Sequence, residues 1–361
     1  DAQRFTKITD SPVSNTPGDS RSVNWIDVNN DGYVDCFISN GPEAGQNNML
    51  YINNQAGNFT AVTDDAIVKD HMPSDGATFA DVDNDGDMDG FVVNWYNKNN
   101  LAYLNKGDGT FTQVTEGPWV TQGGYSETAS FGDYDQDGLL DLYVTNSSGN
   151  KRNFLYHNTG NANMESVTNS TPVTDEASSR NVTWVDMDLD GDSDLHITNE
   201  NNEQDNIYRN DGNGAFTKLT NIALTTASAS TMSSCWGDTD NDGDMDVFLA
   251  NDGAKNQYFR NDGGFVFTPI LTTDISVGTA NSFSCAWADI DNDADLDLFV
   301  TNAFKPNTKL KNNLYLNDGT GHLTKETTEV VTLDLGWSYG CAFGDYDNNG
   351  FMDLAVATTR Y

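Results

Sequence analysis

Asp81, Asp83, Asp85 and Asp89 stand at positions 1, 3, 5 and 9 of the nonapeptide DVDNDGDMD, with Gly86 at position 6. In a tight loop, alternate residues turn their side-chain oxygens to one side, glycine lets the backbone bend, and the carbonyl of position 7 adds another oxygen. The closing aspartate can bind through two oxygens. A donor set of hard oxygens with this many ligands suits Ca²⁺, whereas Mg²⁺ demands a small octahedral cage and keeps its waters.

The same spacing recurs around six other stretches. The side-chain positions are Asp27, Asn29, Asp31 and Asp35; Asp133, Asp135, Asp137 and Asp141; Asp186, Asp188, Asp190 and Asp194; Asp238, Asp240, Asp242 and Asp246; Asp289, Asp291, Asp293 and Asp297; and Asp345, Asp347, Asn349 and Asp353. Up to seven structural Ca²⁺ sites are therefore expected, and their ions would offset part of the net charge of -37. Polar Asx turns need one aspartate or asparagine, not a fixed set of four. Loops one and seven give up a charge at Asn29 and Asn349, and Ala294 replaces the glycine of loop six, where positive φ strains a residue with a Cβ. At position 7 only the backbone is a ligand, so the side chains of Asp87, Asp192, Asp244 and Asp295 are expected in solvent.

The loops begin 54, 52, 53, 52, 51 and 56 residues apart, a period that marks a repeat architecture. Repeats start near Val23, Ala77, Ala129, Val182, Ser234, Cys285 and Cys341. Two positions before each loop stands an aromatic residue (Trp25, Phe79, Phe131, Trp184, Trp236, Trp287, Phe343), read as core packing. After each loop comes a β-prone run such as DLYVTN, then a run with an aromatic two residues before an asparagine, as in Tyr103 and Asn105. A glycine-rich turn and a fourth run such as TFTQVT follow. Four short strands per repeat predict an all-β fold, a seven-bladed β-propeller with four-stranded blades in a single domain spanning 1–361. The final repeat shows only two strands, and RFTKIT at residues 4–9 resembles a fourth strand, so an N-terminal strand is expected to close the last blade.

Of the 361 residues, 37% are hydrophobic, enough for a large core. The excess of acidic over basic residues argues against nucleic acid as a partner, and no apolar run is long enough for membrane insertion. Cys36, Cys235, Cys285 and Cys341 lack CxxC or CxxH spacing, which speaks against a zinc or redox site; Cys285 and Cys341, each four residues before the first aspartate of a loop, read as small core fillers.

Units such as FADVDNDGDMDGFVVN, followed by NLAYLNKGDGTFTQVT, resemble the FG-GAP/VCBS repeats of integrin α-subunit propellers and many secreted proteins. The resemblance covers nearly the whole chain. It implies a seven-bladed propeller with structural calcium between the first two strands of each blade, in an extracellular or cell-surface location. It implies no single activity, because this fold serves many.

Strand alternation puts the acidic loops on one face and the loops joining second to third strands on the other. On that second face are expected Trp95, Tyr96, Trp119, Tyr125, Phe304, Trp337 and Tyr339, aromatic residues able to stack on sugar rings beside amides. His71, His157, His196 and His322 do not recur by repeat or sit in a nucleophile motif, and the two within strands read as structural. The expected function is a calcium-stabilised binding propeller for carbohydrate or an extracellular protein, without covalent chemistry. A polysaccharide lyase on a propeller scaffold and an architectural adhesion module are the alternatives.

Overall fold

The computed structural model describes residues 4–55, 57–226, 228–271, 275, 281–303, 305 and 308–359. Strands follow the repeat. Blade one comprises Ser20–Ile26, Asp35–Asn40, Met49–Asn53 and Phe59–Ala61, each antiparallel to the next. Six blades show this four-stranded order, and the seventh position of the ring is held by the paired strands Leu335–Gly344 and Asp353–Thr359. The second strand of each of the first six blades is buried nearly throughout, because it has a partner on both sides and a neighbouring blade on each face.

The N-terminal strand expected to close the last blade is not formed, and the N-terminus meets the ring by packing alone. Residues 4–9 form no strand, since the described residues provide no third strand of blade seven for them to pair with. Phe5 is nevertheless only 9% exposed and packs in a cluster with Ile290, the second residue of loop six. Phe267 of blade five meets Met187 of loop four, and Phe111 of blade two meets Val28 of loop one, in the same way. Phe5 therefore occupies the place of a fourth-strand aromatic.

Three recurrent contacts join the blades. The first uses the aromatic before each loop: Nε1 of Trp25, Trp184 and Trp287 donates to the carbonyls of Ala342, Ser130 and Cys235 on the preceding blade. Gly132 leaves room for this, as a Cβ there would lie 2.7 Å from the Trp184 ring. The second, at the end remote from the acidic loops, runs from the asparagine just before a third strand to a serine of the next blade, as from Asn48 Nδ2 to Ser74 Oγ and Asn153 Nδ2 to Ser179 Oγ. The third uses the asparagine that ends each third strand. Asn105, Asn158, Asn210, Asn261, Asn317 and Asn53 donate from Nδ2 to the carbonyls of Val28, Val82, Tyr134, Met187, Thr239 and Tyr346, each the second residue of the preceding blade's loop.

One cysteine reading needs correction. Cys235 and Cys285 form a disulfide between the innermost strands of blades five and six, with Cα atoms 5.9 Å apart. Neighbouring repeats bring the two thiols together although 50 residues separate them. Cys36 and Cys341 are free; Cys341 packs, half-buried, against the core cluster of Phe299 and Leu314, as its reading as a core filler expects.

Candidate functional site

Each acidic loop is closed by its own carboxylates. In loop one, Asp27 accepts from the backbone N–H groups of Asp31 at 3.1 Å and Gly32 at 2.7 Å, and Asp31 accepts from that of Tyr33. Asp35 lies fully buried beneath the loop, accepting from Val28 N–H through Oδ2 and Asn53 N–H through Oδ1. The pattern repeats in the other loops, for example in Asp81 with Asp85 and Gly86, and Asp89 with Val82 and Asn105.

One atom in each of six sets, those of loops two to seven, has no partner. Oδ1 of Asp83, Asp135, Asp188, Asp240, Asp291 and Asp347, all at position 3, is buried without a hydrogen bond. A buried carboxylate oxygen with no donor is costly. Six equivalent orphans, pointing into loops where carboxylate oxygens of Asp81, Asp83 and Asp85, or of Asp238, Asp240 and Asp242, gather within 4.8 Å, fit a cation bound by oxygen. Without such an ion, burial pushes the closing carboxyls up: Asp35, Asp246 and Asp353 to about 6, and Asp89, Asp141, Asp194 and Asp297 to about 7.

Position 4 of every loop is left-handed, from φ 55 at Asn348 to φ 61 at Asn84 and Gln136. Its amide reaches the next loop: Asn30 Nδ2 donates to Asp87 at 2.6 Å, Asn241 to Asp295 at 3.2 Å, and Asn348 to the Gly32 carbonyl at 3.1 Å. Gln136 donates to Asp192. The position-7 side chains of Asp87, Asp192 and Asp295 are thus hydrogen-bonded between blades, a correction to their expected place in solvent. Loop four has Leu189 at this position, so Asp244 receives no such amide. Ala294 does carry the expected positive φ, at 75.

On the opposite face, three of the aromatic candidates meet. Trp95 packs edge-on against Tyr96 and Tyr125, with centroids 4.7 and 4.9 Å away, and all three are partly exposed. Trp95 Nε1 donates to Glu127 Oε1 at 2.7 Å, which fixes the indole. The others lie elsewhere. Trp119 is 2% exposed and stacks on Phe91, so it belongs to the core: its short helix Pro118–Thr121 turns it inward between blades. Trp337 is half-buried and donates to the Thr308 carbonyl, stapling a loop. Tyr339 is buried beneath Arg21, whose guanidinium sits 4.3 Å from its ring centre. Phe304 lies outside the described residues.

Tyr339 belongs to a set that the sequence reading missed. Arg21, Asp75, Glu127, Arg180, Met232, Phe283 and Tyr339 each stand six residues before a loop's first aspartate, on the innermost strands. Arg180 Nη1 meets Glu127 at 2.6 Å and its guanidinium covers Phe283, Arg21 Nε lies 3.7 Å from Asp75, and Phe283 meets Tyr339 edge-on at 4.9 Å. Burial drives the Glu127 carboxyl upward, and the Arg180 charge opposes it. The signal was positional only, since the residue type changes from blade to blade.

A closed ring of β-blades with an acidic loop at one end of each is a propeller of the repeat-loop class. The chain belongs to the family of the FG-GAP-like repeat, which matches residues 27–92, 89–144, 133–197, 186–249, 238–300 and 304–356. Among solved structures, a lectin of Agrocybe aegerita that recognises non-reducing terminal N-acetylglucosamine is similar, with TM-score 0.61, 15% identity, and 94% of this chain and 86% of the lectin covered. A streptogramin B lyase matches with TM-score 0.58 at 13% identity, covering 96% of this chain and 92% of its own. YCF48 bound to a D1 peptide matches with TM-score 0.57 at 11% identity, covering 96% and 90%. At such identities the likeness shows the fold alone. No curated protein matches the sequence.

Proposed function

We propose that this chain is a calcium-stabilised binding propeller that works outside the cell and takes carbohydrate on the face opposite its acidic loops. The observation that carries the binding reading is the Trp95, Tyr96 and Tyr125 cluster, partly exposed and held by Glu127. Rigid aromatic faces carrying the hydroxyls of Tyr96 and Tyr125 suit the alternating apolar and polar faces of a sugar ring. A lectin among the structural neighbours supports the same reading. The peptide-bound neighbour makes an extended protein segment the second choice. The orphaned Oδ1 atoms support calcium, and the Cys235–Cys285 disulfide supports an oxidising compartment.

The test is a glycan and polysaccharide panel read for both binding and chain cleavage, with the native protein, Trp95→Ala and Tyr125→Ala. Saturable binding of intact glycan that either substitution weakens at least about tenfold, with the melting temperature within a few degrees of native, is expected. Cleaved product would overturn the non-catalytic reading. No glycan binding would overturn the carbohydrate assignment and favour the protein partner.

A further inference from the structure

The residue before the third-strand asparagine borders the closing aspartate of each loop, and its type varies: Ile52, Leu104, His157, Arg209, Arg260 and Leu316. Arg209 and Arg260 turn away, donating from Nε to Asp211 at 2.7 Å and Asp262 at 2.8 Å. His157 turns in. Its Nδ1 lies 3.1 Å from Asp141 Oδ1 and 3.4 Å from Asp135 Oδ2.

We propose that loop three is a mixed nitrogen and oxygen site that takes a transition-metal ion of the zinc and cobalt type, while the all-oxygen loops take calcium. The inference rests on the reading of the loops as cation sites. Bonds of about 2.0–2.2 Å from a zinc-type ion place neighbouring ligand atoms roughly 3.0–3.5 Å apart. Both measured separations fall in that range. Imidazole nitrogen is a borderline ligand that favours zinc, cobalt, nickel and copper over calcium.

The oxygens support a cation in this loop as they do in the others. Asp135 Oδ1 is buried with no hydrogen-bond partner, so this carboxylate has coordination to spare beyond its contact with His157. Asp141 is fully buried, and its oxygens are fixed by the N–H groups of Tyr134 and Asn158, which hold it in place as a ligand. The Tyr134 ring stands edge-on to the imidazole with centroids 6.1 Å apart, limiting its rotation. One ligand atom from each of Asp135, Asp141 and His157 lies within 4.8 Å of the others. Oxygens of Asp133 and Asp137 of the same loop also gather within 4.8 Å of one of Asp135.

The experiment titrates the calcium-saturated protein with Co²⁺, following the visible absorption of the bound ion, and with Zn²⁺ by calorimetry. His157→Leu is the control, because leucine occupies this place at Leu104 and Leu316. The native protein is expected to bind one tight equivalent whose Co²⁺ band reports a nitrogen ligand, and the variant to bind at least about 100-fold more weakly without that band. Equal binding by the two proteins, or no tight equivalent in the native one, overturns the proposal. Melting both proteins in calcium and in chelator separates the two readings. A calcium-dependent rise without a His157-dependent cobalt site leaves the calcium loops standing and removes only the mixed site, whereas no response to any cation removes both.

Discussion

At the scale of single residues, the buried carboxylates dominate. Asp35, Asp246 and Asp353, held near 6, and Asp89, Asp141, Asp194 and Asp297, held near 7, all lie above the usual value of about 3.9, first because of burial. A raised value means that the ion-free fold favours the protonated form. The stability from this source is complete below about pH 4 and is lost as pH rises through 6 to 7. In chelator, the melting temperature should therefore climb as pH is lowered from 8 to 5.5. The proposed calcium would need the ionised form, so the rise it causes should be largest at the top of that range and shrink towards 5.5. Thermal melts in paired buffers check both slopes. Strain at the left-handed positions gives a second prediction. Ala294→Gly relieves a φ of 75, and Leu189→Asn replaces a strained apolar residue with an amide able to reach the next loop as Asn30 and Asn241 do. Each substitution should stabilise by about 1 kcal/mol in denaturant unfolding.

At the scale of elements, the hydrogen bonds between blades carry the argument. Asn210 Nδ2 serves two carbonyls at once, Tyr134 of the preceding blade at 2.8 Å and Ser193 of its own at 3.2 Å. Asn210→Ala leaves both without this donor and should cost about 2–3 kcal/mol, read as a lower denaturant midpoint. The disulfide closes a 50-residue segment, and the chain-entropy account gives it about 4 kcal/mol, so Cys235→Ser should lower the melting temperature clearly. Strands, loops and the aromatic stripe were legible because every repeat restates them in register. The disulfide was not, because Cys235 and Cys285 occupy different positions within their repeats and only the side-by-side packing of innermost strands brings them together. Trp119 was misread because a tryptophan beside glycine and proline looks like a loop residue, and only the short helix reveals that it points inward. Arg21, Glu127 and Arg180 escaped notice because they change type from repeat to repeat, so no motif marks the shared position.

At the scale of the whole molecule, the acidic loops sit at the joints of the ring. The second residue of each of six loops offers its carbonyl to the asparagine of the next blade, and six position-4 amides continue to the following loop. Blade seven joins blade one by the same means, through Asn53 to the Tyr346 carbonyl, Asn348 to the Gly32 carbonyl and Trp25 to the Ala342 carbonyl. A cation that orders one loop thus steadies two blades, and each site filled at about thirty times its dissociation constant adds about 2 kcal/mol. The most direct measurement is thermal unfolding of the native protein in millimolar Ca²⁺, in Mg²⁺ and in chelator at pH 7.5. The account predicts a marked drop in melting temperature in chelator that Ca²⁺ restores and Mg²⁺ restores poorly. A melting temperature that is the same in all three would contradict it.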